Sequence, residues 1–152
     1  MKTMLIAAAF MAATFSVSAK NKTTAATVNY QIAQTFQSEY ANAENVEWGT
    51  SANNLVRASF TNEGEKVNAF FSQDGEFVAS TVELTKDKLP AKLQAAISKK
   101  YGNTAITEAI SMQKNNELDR AYYVKFTVNG IAKLIKGFDN GFLKEVSLET
   151  AQ

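Results

Sequence analysis

The sequence predicts an α+β fold: a helix followed by a four-stranded antiparallel sheet, the whole unit written twice. Three observations predict it. Val28, Ile32, Phe36 and Tyr40 recur at every fourth position and so lie along one helical face. The apolar period then drops to two, and the alternating runs are separated by short polar or glycine-containing turns. The ladder returns as Leu89, Leu93, Ile97 and Tyr101, and alternation resumes behind it.

Residues 1–19 stand apart from the fold. Lys2 is followed by an apolar run, Met4 to Phe15, broken only by Thr14, and Val17-Ser18-Ala19 leads to a cleavage point before Lys20. That three-part pattern is a secretory signal peptide. The run falls well short of the roughly 18–20 apolar residues that a membrane span requires. No Cys follows it, which argues against a lipid-anchored variant. The sequence therefore predicts a periplasmic or secreted chain beginning near Lys20.

Composition removes several kinds of chemistry. The 152 residues include no Cys and no His. Disulfide staples are excluded, and the fold must hold by packing. The commonest general base, the Ser-His-Asp triad and the usual zinc ligands are excluded with the histidines. Sixteen basic residues stand against fifteen acidic ones. Loss of Lys2 with the signal segment leaves them equal, without the basic excess of a nucleic-acid binder.

The elements follow in order. Residues 20–27 are polar, without periodicity, and read as an N-terminal tail. The first unit spans residues 28–85. Its helix runs from Val28 to about Ala41, with Thr27 placed to cap it. A polar link leads to a strand from Val46 to Ala52, and Asn53-Asn54 turns the chain. Leu55 to Thr61 is the second strand, with Val56, Ala58 and Phe60 in phase. Asn62-Glu63-Gly64 leads to the third, Lys66 to Ser72. Asp74-Gly75 reads as a two-residue hairpin loop before the fourth, Glu76 to Leu84.

The second unit spans residues 86–152. Pro90 sits in the predicted first turn of its helix, where no N–H is needed, and Gly102 stops the helix after Tyr101. Strands are predicted from Thr104 to Lys114, Arg120 to Val128, Ile131 to Phe138 and Phe142 to Glu149. Asn129-Gly130 is the clearest hairpin turn in the chain. The second copy carries extra residues in its strands, which a bulge or a different loop must absorb. One such unit alone would have a marginal core, and two together enlarge it.

The residues offer little catalytic chemistry. Glu44 with Glu47, Glu63 with Glu65, and Asp74 with Glu76 are close in sequence but fall in or beside turns. General acid–base work needs one carboxyl desolvated, and solvated turn carboxylates do not meet that condition. Asp74-Gly75 and Asp139-Asn140-Gly141 lack the longer ligand series of a calcium loop and read as hairpin turns. No phosphate-binding glycine loop occurs. Ser98 and Lys99 are adjacent on a helix and so do not face each other. Lys86, Lys88, Lys92, Lys99 and Lys100 read as a solvated helix face. No catalytic, cofactor or metal-binding residue is assigned.

Aromatics remain. Trp48, Phe60, Phe71, Tyr122 and Phe126 fall in phase with the core. Phe70 and Tyr123 fall out of phase, on the opposite sheet face, where Arg57, Ser59, Asn68, Lys125 and Thr127 are their expected neighbours. An open face of aromatic and basic side chains is the pattern of a protein-binding surface. Phe70, Tyr123, Arg57 and Lys125 are therefore the candidate site.

Several motifs together carry a family resemblance. They are Phe36-x-x-x-Tyr40, Asn45-Val46-Glu47-Trp48, the Leu89-Pro90 helix start with Ile97-x-x-x-Tyr101, and Gly137-Phe138-Asp139-Asn140-Gly141. The chain resembles the PepSY-like, beta-lactamase-inhibitor-like exported proteins of Gram-negative bacteria over nearly all of residues 20–152. The resemblance implies a beta-lactamase-inhibitor-protein-like tandem fold, a periplasmic or secreted address and no catalytic residues. Beta-lactamase inhibitory protein uses disulfides, which this chain lacks, so the resemblance carries the fold and not the inhibition. The expected function is a non-catalytic binding or inhibitor-like module of the cell envelope, with an envelope or secreted protein as partner. The alternatives are a binder of a small molecule, lipid or peptide between helix and sheet, and, more remotely, a hydrolase using carboxylates or Lys.

Overall fold

The computed structural model describes residues 28–51 and 53–146; the expected signal segment, the N-terminal tail and Thr27 lie outside them. Helix α1 (Tyr30–Glu39) is followed by strands β1 (Glu44–Thr50), β2 (Val56–Asn62), β3 (Glu65–Phe71) and β4 (Phe77–Glu83). A 3₁₀ turn (Lys86–Lys88) leads to α2 (Ala91–Tyr101). Strands β5 (Ile106–Lys114), β6 (Ala121–Val128), β7 (Ile131–Phe138) and β8 (Leu143–Val146) complete the described chain.

The sheet corrects the predicted fold class. The expectation was a four-stranded sheet in each of two tandem units. The eight strands instead form one antiparallel sheet in the order β1-β2-β3-β4-β5-β6-β7-β8. The pairing that a local pattern could not show is that of β4 with β5, in which Ala79 to Glu83 run antiparallel to Lys114 to Ile110. A strand at the end of one pattern and a strand at the start of the next each have a free edge, and edges seek partners. The chain divides into two compact units between Val78 and Ala79, ahead of the 85/86 boundary set by the sequence pattern.

In the first unit α1 buries Ile32 and Phe36. Phe36 is the centre of the packing: its ring lies 5.0 Å from Trp48, 5.1 Å from Phe60 and 6.2 Å from Phe71, all edge-on. Tyr40 stands against Phe60 at 4.7 Å. Aromatic pairs of this kind add about 0.5–1.5 kcal/mol each to the burial itself. The cap of α1 is Asn29, whose Oδ1 accepts from the Gln31 N–H at 2.9 Å, rather than the expected Thr27.

In the second unit Leu89, Leu93 and Ile97 pack on Ala109, Tyr122, Val124, Phe126 and Ile135. Pro90 is the cap rather than a first-turn residue, and Gly102 ends α2 at φ 78°. Gly137 lies beneath Leu93, where a Cβ would have no room. The core of this unit is mainly aliphatic, without a counterpart of Trp48.

The turns set the register. Glu63-Gly64 and Asn129-Gly130 are two-residue loops with both residues at positive φ, the twist that suits a tight hairpin. Asp74-Gly75 departs from the prediction. Ser72 and Glu76 close a three-residue loop, Gly75 donates to the Ser72 carbonyl, and Gly75 takes φ 95°. The β7–β8 turn repeats this form, with Gly141 donating to Phe138 at 2.9 Å. Both glycines lie under a helix start. A Cβ on Gly75 would stand 2.7 Å from Gln31 Cβ, and one on Gly141 would stand 3.0 Å from the Lys92 carbonyl oxygen. Strand β1 is bulged between Glu44 and Glu47, with Asn45 at φ 55°, and β5 is bulged between Ile106 and Glu108.

Candidate functional site

Residues directly opposite in an antiparallel ladder share a face, so the register states which side chains lie away from the helices. In the first unit Arg57 lies between Gly49 and Phe70 on that face, and Ser59 lies between Glu47 and Asn68. Ser59 Oγ donates to Asn68 Oδ1 at 2.7 Å. In the second unit Tyr123 has Ile110 on one side and Lys136 on the other, and Lys144 follows Lys136. The neighbouring row is Glu108, Lys125, Leu134 and Val146.

The two aromatics chosen from the sequence share this face type but are not exposed on it. Phe70 is 1% exposed and Tyr123 is 2% exposed. This corrects the expected open aromatic surface. Both belong to strands buried on each side: Ala69, Phe70 and Phe71 are all buried, as are Ala121 to Val124. Continuous apolar runs of this kind mark doubly covered strands, whereas strict alternation marks half-buried ones. Arg57 and Lys125 are half-buried. Arg57 Nε has no hydrogen-bond partner among the described residues. Lys125 Nζ pairs with Glu108 at 3.5 Å.

The aromatic and basic side chains that this side of the second unit leaves partly or fully exposed lie mainly on β7 and β8. Lys136 Nζ stands 5.9 Å from the Tyr123 ring centroid and 5.1 Å from that of Phe138. Such placement over a ring face is worth about 0.5–1 kcal/mol at an exposed site. Phe138 and Phe142 are 6.2 Å apart, and Phe142 is 60% exposed. Lys136 and Lys144 are directly opposite, and neither pairs with a carboxylate among the described residues. Like charges so placed weaken a sheet. These four residues were missed because the sequence reading followed β6. The signal was present in β7, where Leu134, Lys136 and Phe138 alternate with the buried Ile135 and Gly137.

Tyr123 forms the floor of this patch. Its hydroxyl finds no partner among the described residues. Burial, and then the charge of Glu117, push its pKa up. The carboxylate pairs considered for catalysis lie at or near the surface, and Asp74 is shifted down by hydrogen bonds from the Ser72 side chain and from its own backbone. A general acid needs the opposite shift. No three Asp or Glu side chains converge as a metal site among the described residues. No helix among them is long and apolar enough to cross a membrane.

These features define a class by fold: among the described residues, an eight-stranded antiparallel sheet with two α-helices, of the BLIP-like kind. A BLIP-like protein from Bacteroides fragilis superposes with a TM-score of 0.73 at 17% identity, covering 82% of this chain and 89% of that one. A DUF2874 family protein from Bacteroides uniformis gives 0.71 at 15% identity, over 80% and 92%. A candidate periplasmic protein from Bacteroides eggerthii gives 0.68 at 14% identity, over 78% and 88%. Identities this low show a shared fold. No family model, PepSY-like or other, matches the sequence. No curated protein matches it either.

Proposed function

We propose that the chain is an exported, non-catalytic binding module of the cell envelope. It engages a protein partner through the helix-free side of its second unit, where Lys136 stands by the Tyr123 ring, Lys144 lies opposite Lys136, and Phe138 and Phe142 flank them. Export is supported by the signal-like segment at residues 1–19 and by a fold shared with a candidate periplasmic protein. A binding role in place of catalysis is supported by the absence of His and Cys and by the surface position of the paired carboxylates.

One observation carries the choice of face: two lysines held directly opposite each other, flanked by an aromatic pair in which Phe138 is half-buried and Phe142 exposed. The arrangement costs the free protein some stability and suits a partner that brings carboxylates and an apolar side chain. The test is capture from an envelope extract on immobilised residues 20–152. The wild type is expected to retain a defined protein in stoichiometric amount, and a Lys136→Glu, Phe142→Ser variant to lose it. Equal retention by both would remove the proposed face.

A further inference from the structure

We propose that the outer side of α2, with the 3₁₀ turn that leads into it, docks on an anionic lipid headgroup layer. The setting rests on the export reading above; the surface is a different one. Charge is the first observation. Between residues 28 and 78 only Arg57 and Lys66 stand against seven carboxylates, whereas between residues 79 and 146 eleven cations stand against seven. Much of that excess is gathered in one place. Lys86, Lys88, Lys92, Lys99 and Lys100 are all exposed, with Asp87 the one acidic residue among them.

The second observation is that these lysines are not explained by the helix they stand on. Helix α2 contains no Asp or Glu, so none of its lysines has a partner one turn away. Lys86, Lys92 and Lys99 meet no carboxylate at ion-pair distance among the described residues. Lys99 and Lys100 do suit the C-terminal end of the helix dipole. Lys92 does not: it lies in the first turn, where the dipole's positive end repels an ammonium. A cation there gains nothing from the helix dipole, and a facing anion would favour it.

Shape is the third. Lys92 and Lys99 lie two turns apart on one line, with Ala95 and Ala96 between them and Ala91 and Ser98 alongside. The small residues keep the ridge low, and the ammonium groups stand above it on flexible stems. Gly141 packs against the Lys92 backbone and holds the first turn in place. A row of cations over a smooth ridge matches a planar array of phosphates. No large apolar side chain of α2 is among the exposed ones, so the attachment is electrostatic and peripheral.

Co-sedimentation of residues 20–152, which hold every described element, tests this. The vesicles are phosphatidylcholine mixed with phosphatidylglycerol, against phosphatidylcholine alone. Binding is expected only to the mixed vesicles at low ionic strength, and its loss in about 1 M salt, where screening falls to about 3 Å. A Lys86→Gln, Lys92→Gln, Lys99→Gln variant keeps good helix formers, and circular dichroism checks its fold. It should bind about a hundredfold more weakly, at roughly fivefold per lysine. A Lys66→Gln, Lys114→Gln, Arg120→Gln variant removes equal charge elsewhere, outside both proposed surfaces, and should bind as the wild type does. Equal loss in both variants would reduce the effect to net charge and overturn the proposal. So would absence of binding by the wild type, or equal binding to phosphatidylcholine alone. A salt-sensitive dimer abolished by the α2 substitutions, without vesicle binding, would assign the ridge to a second copy and also overturn it. The capture test above varies Lys136 and Phe142 and leaves α2 unchanged, and the vesicle test leaves those two residues unchanged, so the two readings fail separately.

Discussion

Replacement of Gly75 by Ala isolates the contact between the β3–β4 hairpin and α1. Two costs combine. Gly75 holds φ 95°, which an L-residue adopts at a cost of about 1–2 kcal/mol. The new Cβ would also stand 2.7 Å from Gln31 Cβ, 3.2 Å from the Gln31 carbonyl carbon and 3.3 Å from the Ile32 nitrogen. Two of those three atoms are helix backbone and cannot swing aside, so the helix must shift. Overpacking of this sort costs about 1–3 kcal/mol. The expected total is about 2–5 kcal/mol. Gly64→Ala supplies the control, because Gly64 also has positive φ, 80°, but nothing lies within 4 Å of its Cβ position. That variant should lose only the conformational part. The assay is urea unfolding followed by Trp48, the single tryptophan, buried beside Phe36. The midpoints should differ at unchanged slope. Equal losses in the two variants would refute the claim that the hairpin glycine seats the helix.

Three further expectations concern other points of the fold. Gly137→Ala should destabilise by about 1–3 kcal/mol through the clash with buried Leu93, and Leu93→Val should recover part of the loss in the double variant; additivity in thermal melts would contradict this. Glu63 occupies a positive-φ turn position at φ 51° that Asn tolerates better, so Glu63→Asn should raise stability by about 0.5–1 kcal/mol, and an unchanged urea midpoint would count against it. Tyr123→Phe removes a buried hydroxyl that lacks a partner among the described residues, and stability at neutral pH should rise by about 1 kcal/mol. Because the folded-state pKa of Tyr123 is raised, its contribution to stability is whole below the unfolded tyrosine value of about 10 and falls as pH rises through the folded value. Tyr123→Phe should flatten that alkaline decline; a destabilised variant with the same decline would show that the hydroxyl is bonded.

The parts of the fold written in local spacing were legible. Ile32 and Phe36, and Leu93 and Ile97, repeat at helical period because each helix has one buried side. Asn129-Gly130 announces its hairpin through the left-handed freedom of its residues. The β4–β5 pairing was not legible, because backbone hydrogen bonds between distant strands leave no periodic trace. The Asp74-Gly75 loop was read one residue short, since a glycine at positive φ serves two- and three-residue hairpins alike. Asn45 looked like part of a link and is the bulged residue of β1. Alternation placed Phe70 and Tyr123 on the side away from the core but did not say whether that side was covered. The unbroken apolar runs Ala69–Phe71 and Ala121–Val124 were the sign that it was.

The bulge in β1 has a bearing on how the protein behaves at high concentration. Among the described residues β1 pairs with a neighbouring strand on one side only and forms a border of the sheet. Asn45 breaks the regular ladder at that border, and Glu44 and Glu47 stand exposed on it. A bent, charged border is a poor template for another chain's strand. Deleting Asn45 would straighten the border and shift Glu44 into the ladder, and slow fibrillar aggregation would become the hazard. An irregularity of one residue thus bears on how readily this border could template another chain's strand.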